Sequence, residues 1–211
     1  MSDQPHNPYD HGPDHHAGAP SVENEILERA IRELLVEKGV VAPDVINKFI
    51  TIRESFTHEP GARLAARMWV DPAFKARALE DGRAACDELG INLGPFDLKV
   101  WENTPRLHHV VVCTLCSCFA TTVLGNAPAW YKGREYRSRV AQSPRAVLCE
   151  FGTAIADDVE VRVVDSTAEI RNMVLPLRPA GTEHLDEAAL ARLITQDNLI
   201  GVTLVQPPEQ A

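Results

Sequence analysis

The sequence is short of positive charge. Among 211 residues, Lys and Arg number 21 against 30 Asp and Glu, a formal net charge of −9. That balance excludes nucleic acid and anionic membrane as principal partners, because both are bound through a net basic face. No apolar run approaches the ~18 uninterrupted residues that a membrane-spanning helix needs. The first twenty residues hold no Lys or Arg and no apolar stretch, so they lack the makings of a secretory signal, and a cytoplasmic location is expected. Aromatics are only 6%, yet 45% of residues are hydrophobic and 24% charged, the composition of a globular protein. At this length one core buries roughly 70% of the unfolded surface, so disulfide staples are not required.

Cysteine is scarce, and its placement is uneven. The five are Cys86, Cys113, Cys116, Cys118 and Cys149. An odd count is poor material for a disulfide framework. Cys86 and Cys149 sit in helical contexts and read as small buried hydrophobes. The other three fall within Cys113-Thr114-Leu115-Cys116-Ser117-Cys118.

The chain divides into three stretches. Residues 1–20 are rich in His and Pro, without periodicity, and read as a solvated tail. Its His6, His11, His15 and His16 are the kind of tract that can also hold a soft divalent metal. From Ser21, a candidate N-cap, apolar residues recur at helical spacing: Val22, Ile26, Ala30, Ile31, Leu34 and Leu35, closed by Gly39. A second helix is expected from Pro43, with Ile46, Phe49 and Ile50 on one stripe. Helical signal then runs from Ala62 to Met68, breaks at Asp71-Pro72 and resumes from Leu79 to Leu89. Residues 21–92 therefore read as a helical arm suited to wrapping a partner subunit. Residues 93–211 read as the globular, metal-binding domain. Strands are expected at Asp97–Glu102, Val110–Val112, Val159–Val164, Met173–Leu177 and Leu199–Val205, with helices opening at Pro144 and Asp186. Helices and strands mix without a regular βαβ repeat, so the fold class is α+β.

The cysteine cluster has a chemistry of its own. A structural zinc site uses four donors, usually two separated Cys-x-x-Cys knuckles, and the sequence has no second knuckle. His108 and His109 lie near, but on an expected strand. If a metal binds the sulfurs of Cys116 and Cys118, the main-chain nitrogens of Ser117 and Cys118 lie between them. Two five-membered chelate rings and one six-membered ring can then close. Two thiolates and two deprotonated amides make a near-planar square, with the Cys113 sulfur as a fifth ligand and a sixth position open. Such a set favours a compact trivalent ion such as cobalt or iron over zinc. An open position on a Lewis acid is what hydration or hydrolysis requires.

Val112-Cys113-Thr114-Leu115-Cys116-Ser117-Cys118 resembles the metal-claw motif of the nitrile hydratase α subunit. The resemblance extends through Trp69-Val70-Asp71-Pro72, Glu102-Asn103-Thr104-Pro105, Trp130-Tyr131-Lys132, Asp165-Ser166-Thr167, Val174-Leu175-Pro176 and Arg178-Pro179-Ala180-Gly181-Thr182. It implies that Cys113, Cys116 and Cys118, with the amide nitrogens of Ser117 and Cys118, hold one Co(III) or Fe(III) ion. It also implies that Cys116 becomes a sulfinate and Cys118 a sulfenate. Thr at position 114 follows the cobalt-type members, where iron-type members carry Ser. The implied reaction adds water to a nitrile, giving an amide. In it the metal polarises the nitrile or a water, and the Cys118 sulfenate oxygen serves as nucleophile or base. The implied partners are a β subunit, in an αβ or α2β2 heteromer, and an activator protein that loads the metal. The expected architecture is an N-terminal helical arm followed by a layered α-β-β-α domain.

The sequence departs from that family directly after the claw. Phe119-Ala120-Thr121-Thr122 stands where the family has Tyr-Pro-Trp-Pro. By the resemblance, Phe119 and Thr121 fall at the substrate pocket, and loss of the indole points to a bulkier or more polar nitrile. The same departure keeps the related cobalt-bearing subunit of thiocyanate hydrolase as an alternative, although Thr121 is not the basic residue an anion would favour there. A third reading is a non-catalytic structural zinc or thiol protein. Of His108 and His109, one is expected to face outward and the other to be a bonded core histidine, with a supporting role beside the claw as the alternative. Arg134, Arg137, Arg139 and Arg145 read as ordinary ion-pair partners. Asp157-Asp158 reads as a turn.

Overall fold

The computed structural model describes residues 22–116 and 118–208. The tail histidines, Ser21 and Ser117 lie outside the described residues. The first two helices, α1 (Val22–Glu37) and α2 (Pro43–Glu54), form as their periodicity predicts, and neither contains a buried residue. Gly39 ends α1 at φ +66°, the left-handed conformation that spares glycine a steric penalty. Pro43 opens α2, where its missing N–H costs nothing.

Burial begins with α3 (Glu59–Val70), which places Leu64, Ala65 and Met68 in the core. The Asp71-Pro72 break is real: the Asp71 carboxylate accepts from the Phe74 N–H at 2.9 Å and starts α4 (Pro72–Glu80). The expected run from Leu79 to Leu89 is interrupted once more. Asp81 caps α5 (Gly82–Glu88) through the Ala84 N–H, and a Cβ on Gly82 would lie 2.3 Å from the Leu98 carbonyl oxygen. Glycine is needed there because α5 presses its first turn against strand β1 (Asp97–Glu102).

Packing is uneven within the expected arm of residues 21–92. α1 and α2 are exposed, whereas α3, α4 and α5 supply core residues such as Leu64, Phe74 and Cys86. Equal helical periodicity in both stretches concealed this difference, since periodicity reports an apolar face and not what covers it.

Among the described residues, four strands form two parallel pairs. β1 (Asp97–Glu102) pairs with β4 (Ile170–Leu175), and β2 (Leu107–Val112) pairs with β3 (Glu160–Asp165). Parallel partners require long crossovers, and the one from β2 to β3 carries α6 (Thr121–Leu124), α7 (Ala129–Lys132), α8 (Arg134–Gln142) and α9 (Pro144–Glu150). α4 and α5 cover β1, the two strand pairs meet through β1, β2 and β4, and α8 and α9 cover β2 and β3. The result is the mixed, layered α-β-β-α arrangement expected for residues 93 onward, with α4 and α5 added as its outer layer.

The end of the chain corrects the sequence reading. α10 (Glu187–Leu193) packs on α3, and the expected strand at Leu199–Val205 is instead α11 (Gln196–Ile200) followed by turns. Thr195 and Asn198 form a capping box that starts α11, and Gly201 ends it at φ +89°. A Cβ on Gly201 would sit 2.1 Å from the His109 carbonyl oxygen, so the helix terminus closes directly onto β2. The apolar run Leu199, Ile200 and Val202 is buried on that surface, which is why it looked like a strand. Asp157-Asp158 lies in a turn as expected. Among the described residues no helix is long and apolar enough to cross a membrane.

Candidate metal centre

β2 ends at Val112 and delivers the chain into a loop where three sulfurs converge. Sγ of Cys116 lies 3.2 Å from Sγ of Cys113 and 3.0 Å from Sγ of Cys118, and all three fall within 4.8 Å of one another. Cys113 is buried, Cys118 half-buried and Cys116 exposed, so the cluster opens on one side. No His, Asp or Glu joins it among the described residues. Three soft donors without a fourth protein side chain suit a thiolate-binding metal that takes its remaining ligands elsewhere. The donor set thus fits the metal that the sequence implied, and Cys113, Cys116 and Cys118 are the residues able to hold it. The remaining proposed ligand residue, Ser117, lies outside the described residues.

Side chains from three other elements hold the loop. Asp165, the last residue of β3, sits in register with Val112. Its carboxylate accepts from the Thr114 N–H at 3.0 Å and from the Thr114 hydroxyl. From α8, Arg137 Nη1 donates to the Cys116 carbonyl at 2.8 Å. From α7, the buried Tyr131 hydroxyl donates to the Cys118 carbonyl at 3.1 Å, and Phe119 packs edge-on against the Tyr131 ring. Tyr136 donates to Val111 O at 2.7 Å and fixes the strand just ahead of the loop. Asp165 and Tyr131 were not singled out in the sequence as site residues, and Arg137 was read as an ordinary ion-pair partner. Arg139 does pair with Glu150, while Arg145 donates to the carbonyls of Ile155, Ala156 and Val159. The Asp165-Ser166-Thr167 segment of the resemblance and the register of β3 against β2 are the signals that point to Asp165.

Without metal, the Cys118 thiol is pushed up to about 11, first by its hydrogen bond with Cys116 and then by burial, with the Arg171 charge opposing both. Metal capture must therefore displace a proton at Cys118. Burial also holds the Tyr131 phenol above its ordinary value. It stays a hydroxyl donor at neutral pH.

His108 and His109 are both buried, which corrects the expectation that one faces outward. β2 is covered on both faces, so alternation along it does not reach solvent. His108 Nε2 contacts Gly201 O at 2.7 Å, and Asn103 Nδ2 contacts His108 Nδ1 at 3.2 Å. Asn103 Oδ1 accepts from the His109 main-chain N–H at 2.8 Å and meets its Nδ1 at 3.2 Å. These partners assign a proton to Nε2 of His108 and to Nδ1 of His109. Burial lowers both imidazoles below their ordinary value, so both are neutral at pH 7. His109 also lies against the Trp101 ring. Trp101 donates to Asn172, and Asn172 to Ser166, which bonds Tyr131. The histidines thus connect with the claw through a chain of buried and half-buried side chains. Cys86 is buried as expected, while Cys149 is exposed on α9 because it lies on that helix's outer face.

Beside the claw lies a cleft of about 160 Å³ whose lining includes Phe56, Phe119, Thr121, Thr122, Arg53 and Arg171. The two residues assigned to a substrate pocket by resemblance, Phe119 and Thr121, are thus walls of one cavity.

The nitrile hydratase alpha chain family matches residues 22–203. The low-molecular-weight cobalt-containing nitrile hydratase subunit alpha of Rhodococcus rhodochrous is 45% identical over 196 residues, covering 91% of this chain and 95% of that protein. Thiocyanate hydrolase subunit gamma of Thiobacillus thioparus is 41% identical, covering 90% and 84% respectively. Among solved structures, an Fe-type nitrile hydratase from Comamonas testosteroni Ni1, a double histidine-to-tryptophan mutant, superposes with a TM-score of 0.83 at 42% identity. It covers 92% of this chain and 95% of that one. Over nearly its whole described length, in sequence and in fold, the chain belongs to the nitrile hydratase alpha chain family.

Proposed function

We propose that this chain is the metal-bearing α subunit of a nitrile hydratase, adding water to a nitrile to give the amide at a non-corrin Co(III) centre. The observation that carries the reading is the convergence of the Cys113, Cys116 and Cys118 sulfurs within 4.8 Å in a loop braced by Asp165, Arg137 and Tyr131. Bound there, a trivalent metal supplies a Lewis acid that makes a nitrile carbon or a water more reactive. The chain's own residues do the rest. Cys116 as sulfinate and Cys118 as sulfenate are the oxidised states proposed for the site, and the Cys118 sulfenate oxygen is the group that attacks or takes a proton. The Tyr131 hydroxyl, donating to the Cys118 main-chain carbonyl, holds the stretch of backbone that carries the Cys118 sulfur. Phe119 and Thr121 border the space in which the nitrile sits.

Cobalt is favoured over iron by the cobalt-containing relative and by Thr114, whose hydroxyl is already spent on Asp165. A Ser would supply the same hydroxyl, so the methyl group is the part of Thr114 that differs between the metal types. The β subunit completes the enzyme, and the exposed faces of α1 and α2 are where such a partner would find apolar surface. A cytoplasmic setting and an activator protein complete the proposal. Thiocyanate hydrolysis is the second reading, favoured by the Thiobacillus thioparus relative and by the Arg171 charge in the cleft.

The test is elemental analysis and optical spectroscopy of the chain co-expressed with its β partner in cobalt- and iron-supplemented medium. Close to one cobalt per chain, with a sulfur-to-metal charge-transfer band and nitrile turnover, is the expected result. Zinc, or no metal in a folded heteromer, overturns the reading.

A further inference from the structure

Arg171 stands out among the cleft residues. It is 8% exposed, and none of the ion pairs among the described residues includes it. Nη1 donates to the carbonyls of Thr167 and Ala168 at 2.7 and 3.1 Å, and the guanidinium carbon lies 3.9 Å from the centre of the Phe96 ring. Nε is buried and has no partner. A buried guanidinium held by neutral carbonyls, with no carboxylate paired to it among the described residues, is an expensive arrangement unless an anion arrives. The cleft's other charges do not cancel it. Asp97 is engaged by Arg83 at 2.9 Å, and Arg53, at the end of α2, adds a second cation that joins none of the ion pairs among the described residues. Asn126 Nδ2 holds the Arg53 carbonyl at 2.7 Å, tying that helix end to the loop after α6. A positively lined cavity in a chain of net charge −9 focuses anions.

We infer that the cleft beside the claw is an anion subsite. Arg171, with Arg53 at the rim, receives the negative charge of a small substrate whose carbon–nitrogen triple bond reaches the metal centre. The inference rests on the proposed hydration of nitriles and narrows its substrate class. About 160 Å³ is well below the ~300–1,000 Å³ of sites for drug-sized ligands, so the occupant is small. Phe119 follows Cys118 directly, so this wall of the cleft adjoins the sulfur-bearing loop. Where the resemblance puts an indole, Thr121 offers a smaller side chain with a hydroxyl to the same cleft that Arg171 lines. Two sources share this chemistry: a short cyano-carboxylate, with its charge at the far end, and thiocyanate, with its charge on the sulfur.

The experiment compares 3-cyanopropionate, its neutral methyl ester and thiocyanate as substrates of the metal-loaded heteromer. It is run on wild type, Arg171→Gln and Arg171→Lys, with binding of each anion followed by titration calorimetry. For wild type the cyano-carboxylate should exceed its ester in kcat/KM by tenfold or more, chiefly through KM. Arg171→Gln should lower kcat/KM on the cyano-carboxylate by tenfold or more beyond any loss on the ester, erasing that preference, and Arg171→Lys should retain part of it. The wild-type comparison needs no variant, so it decides even if Arg171→Gln does not fold. An ester equal to or better than the anion overturns the subsite. Equal losses on both nitriles in Arg171→Gln also overturn it, because the charge would then serve the claw alone. Turnover of thiocyanate with neither nitrile hydrated sinks the nitrile reading and supports the subsite, provided calorimetric affinity falls in Arg171→Gln.

Discussion

α1 and α3 carry similar apolar periodicity, yet they end in opposite environments. In α1, Ile26 is 61% exposed and Ile31 49%, whereas in α3 Leu64 and Ala65 are 0% exposed. What separates them is the size of the side chains and what faces them. α3 offers Gly61, Ala62, Ala65 and Ala66, small residues that let α6, α10 and α11 approach closely; a Cβ on Gly61 would lie 2.8 Å from the Val123 carbonyl oxygen. The stripes of α1 and α2 are built from Val, Ile, Leu and Phe, which stand out from the helix and need a partner shaped to receive them. Small residues mark a helix packed within its own chain. Large ones left exposed mark a face prepared for another.

The largest effect that sharpens this contrast is in the body. Phe74 is fully buried, with the guanidinium groups of Arg67 and Arg77 over its ring. Phe74→Ala should cost about 3–5 kcal/mol, from lost transfer energy and the cavity left behind. At roughly 2–4 °C per kcal/mol for a chain of this size, the melting temperature should fall by about 10 °C. A drop of only a degree or two would mean that α4 is not part of the cooperative core.

Phe49 is the arm's counterpart, 63% exposed on α2. Phe49→Ala should leave the melting temperature of the isolated chain within the scatter expected of surface changes, about 0.5 kcal/mol. In the heteromer it should weaken association by more than about 1 kcal/mol, as truncation of a buried aromatic anchor does. Sedimentation of wild-type and variant chains with the β partner reads the difference. Unchanged association would show that this face of α2 is not covered by the partner.

Acid should act on the body and spare the arm. Burial keeps His108 and His109 neutral, their folded values below the ~6.5 of an unfolded histidine. The unfolded chain takes up protons first as pH falls, so the stability contributed by neutral burial is complete above about pH 6.5. It is lost as pH drops from there through the folded values. Thermal melts between pH 8 and 5 should show this slope in Phe49→Ala as in wild type, and His109→Gln should flatten it. A slope that persists in His109→Gln and also in His108→Gln would place the acid sensitivity elsewhere.

Most of the fold was legible where a local signal had one physical meaning. Asp71-Pro72 could only end one helix and cap the next, and the alternation over Asp97–Glu102 gave that strand its bounds. The signal failed where tertiary packing chose between two local options. Leu199–Val205 is apolar enough for a strand, but Thr195, Asn198 and Gly201 spell a capped turn of helix, and those polar residues decided it. The cysteine spacing pointed to the claw because ligands close in sequence need no fold to bring them together. Asp165, Tyr131 and Arg171 reach it from far along the chain, so only the pairing of β2 with β3 and the crossover helices could bring them in.

The smallest effect compares two ion pairs. On the arm, Lys48 Nζ lies 2.6 Å from Asp44, both side chains more than 60% exposed. The acid precedes the base by four residues, the favourable order on a helix, and such a pair contributes about 0.3–0.5 kcal/mol at most. In the body, Arg67 joins Asp71 at 3.2 Å and Glu187 at 3.3 Å, so one guanidinium links α3 to α10 and also covers Phe74. Its side chain is 39% exposed, so solvent screens the charges, and the difference rests more on the guanidinium lying over the Phe74 ring than on Coulomb attraction within the ion pairs. Arg67→Ala should therefore destabilise by about 1 kcal/mol, Arg67→Met by less, and Lys48→Ala by less than about 0.5. Urea denaturation of the three variants at low and high salt separates the contributions. Lys48→Ala should merge with wild type in high salt, while Arg67→Ala should stay apart from it. If salt erases both differences equally, the α3–α10 link is electrostatic like the arm's pair, and the body owes its stability to burial alone.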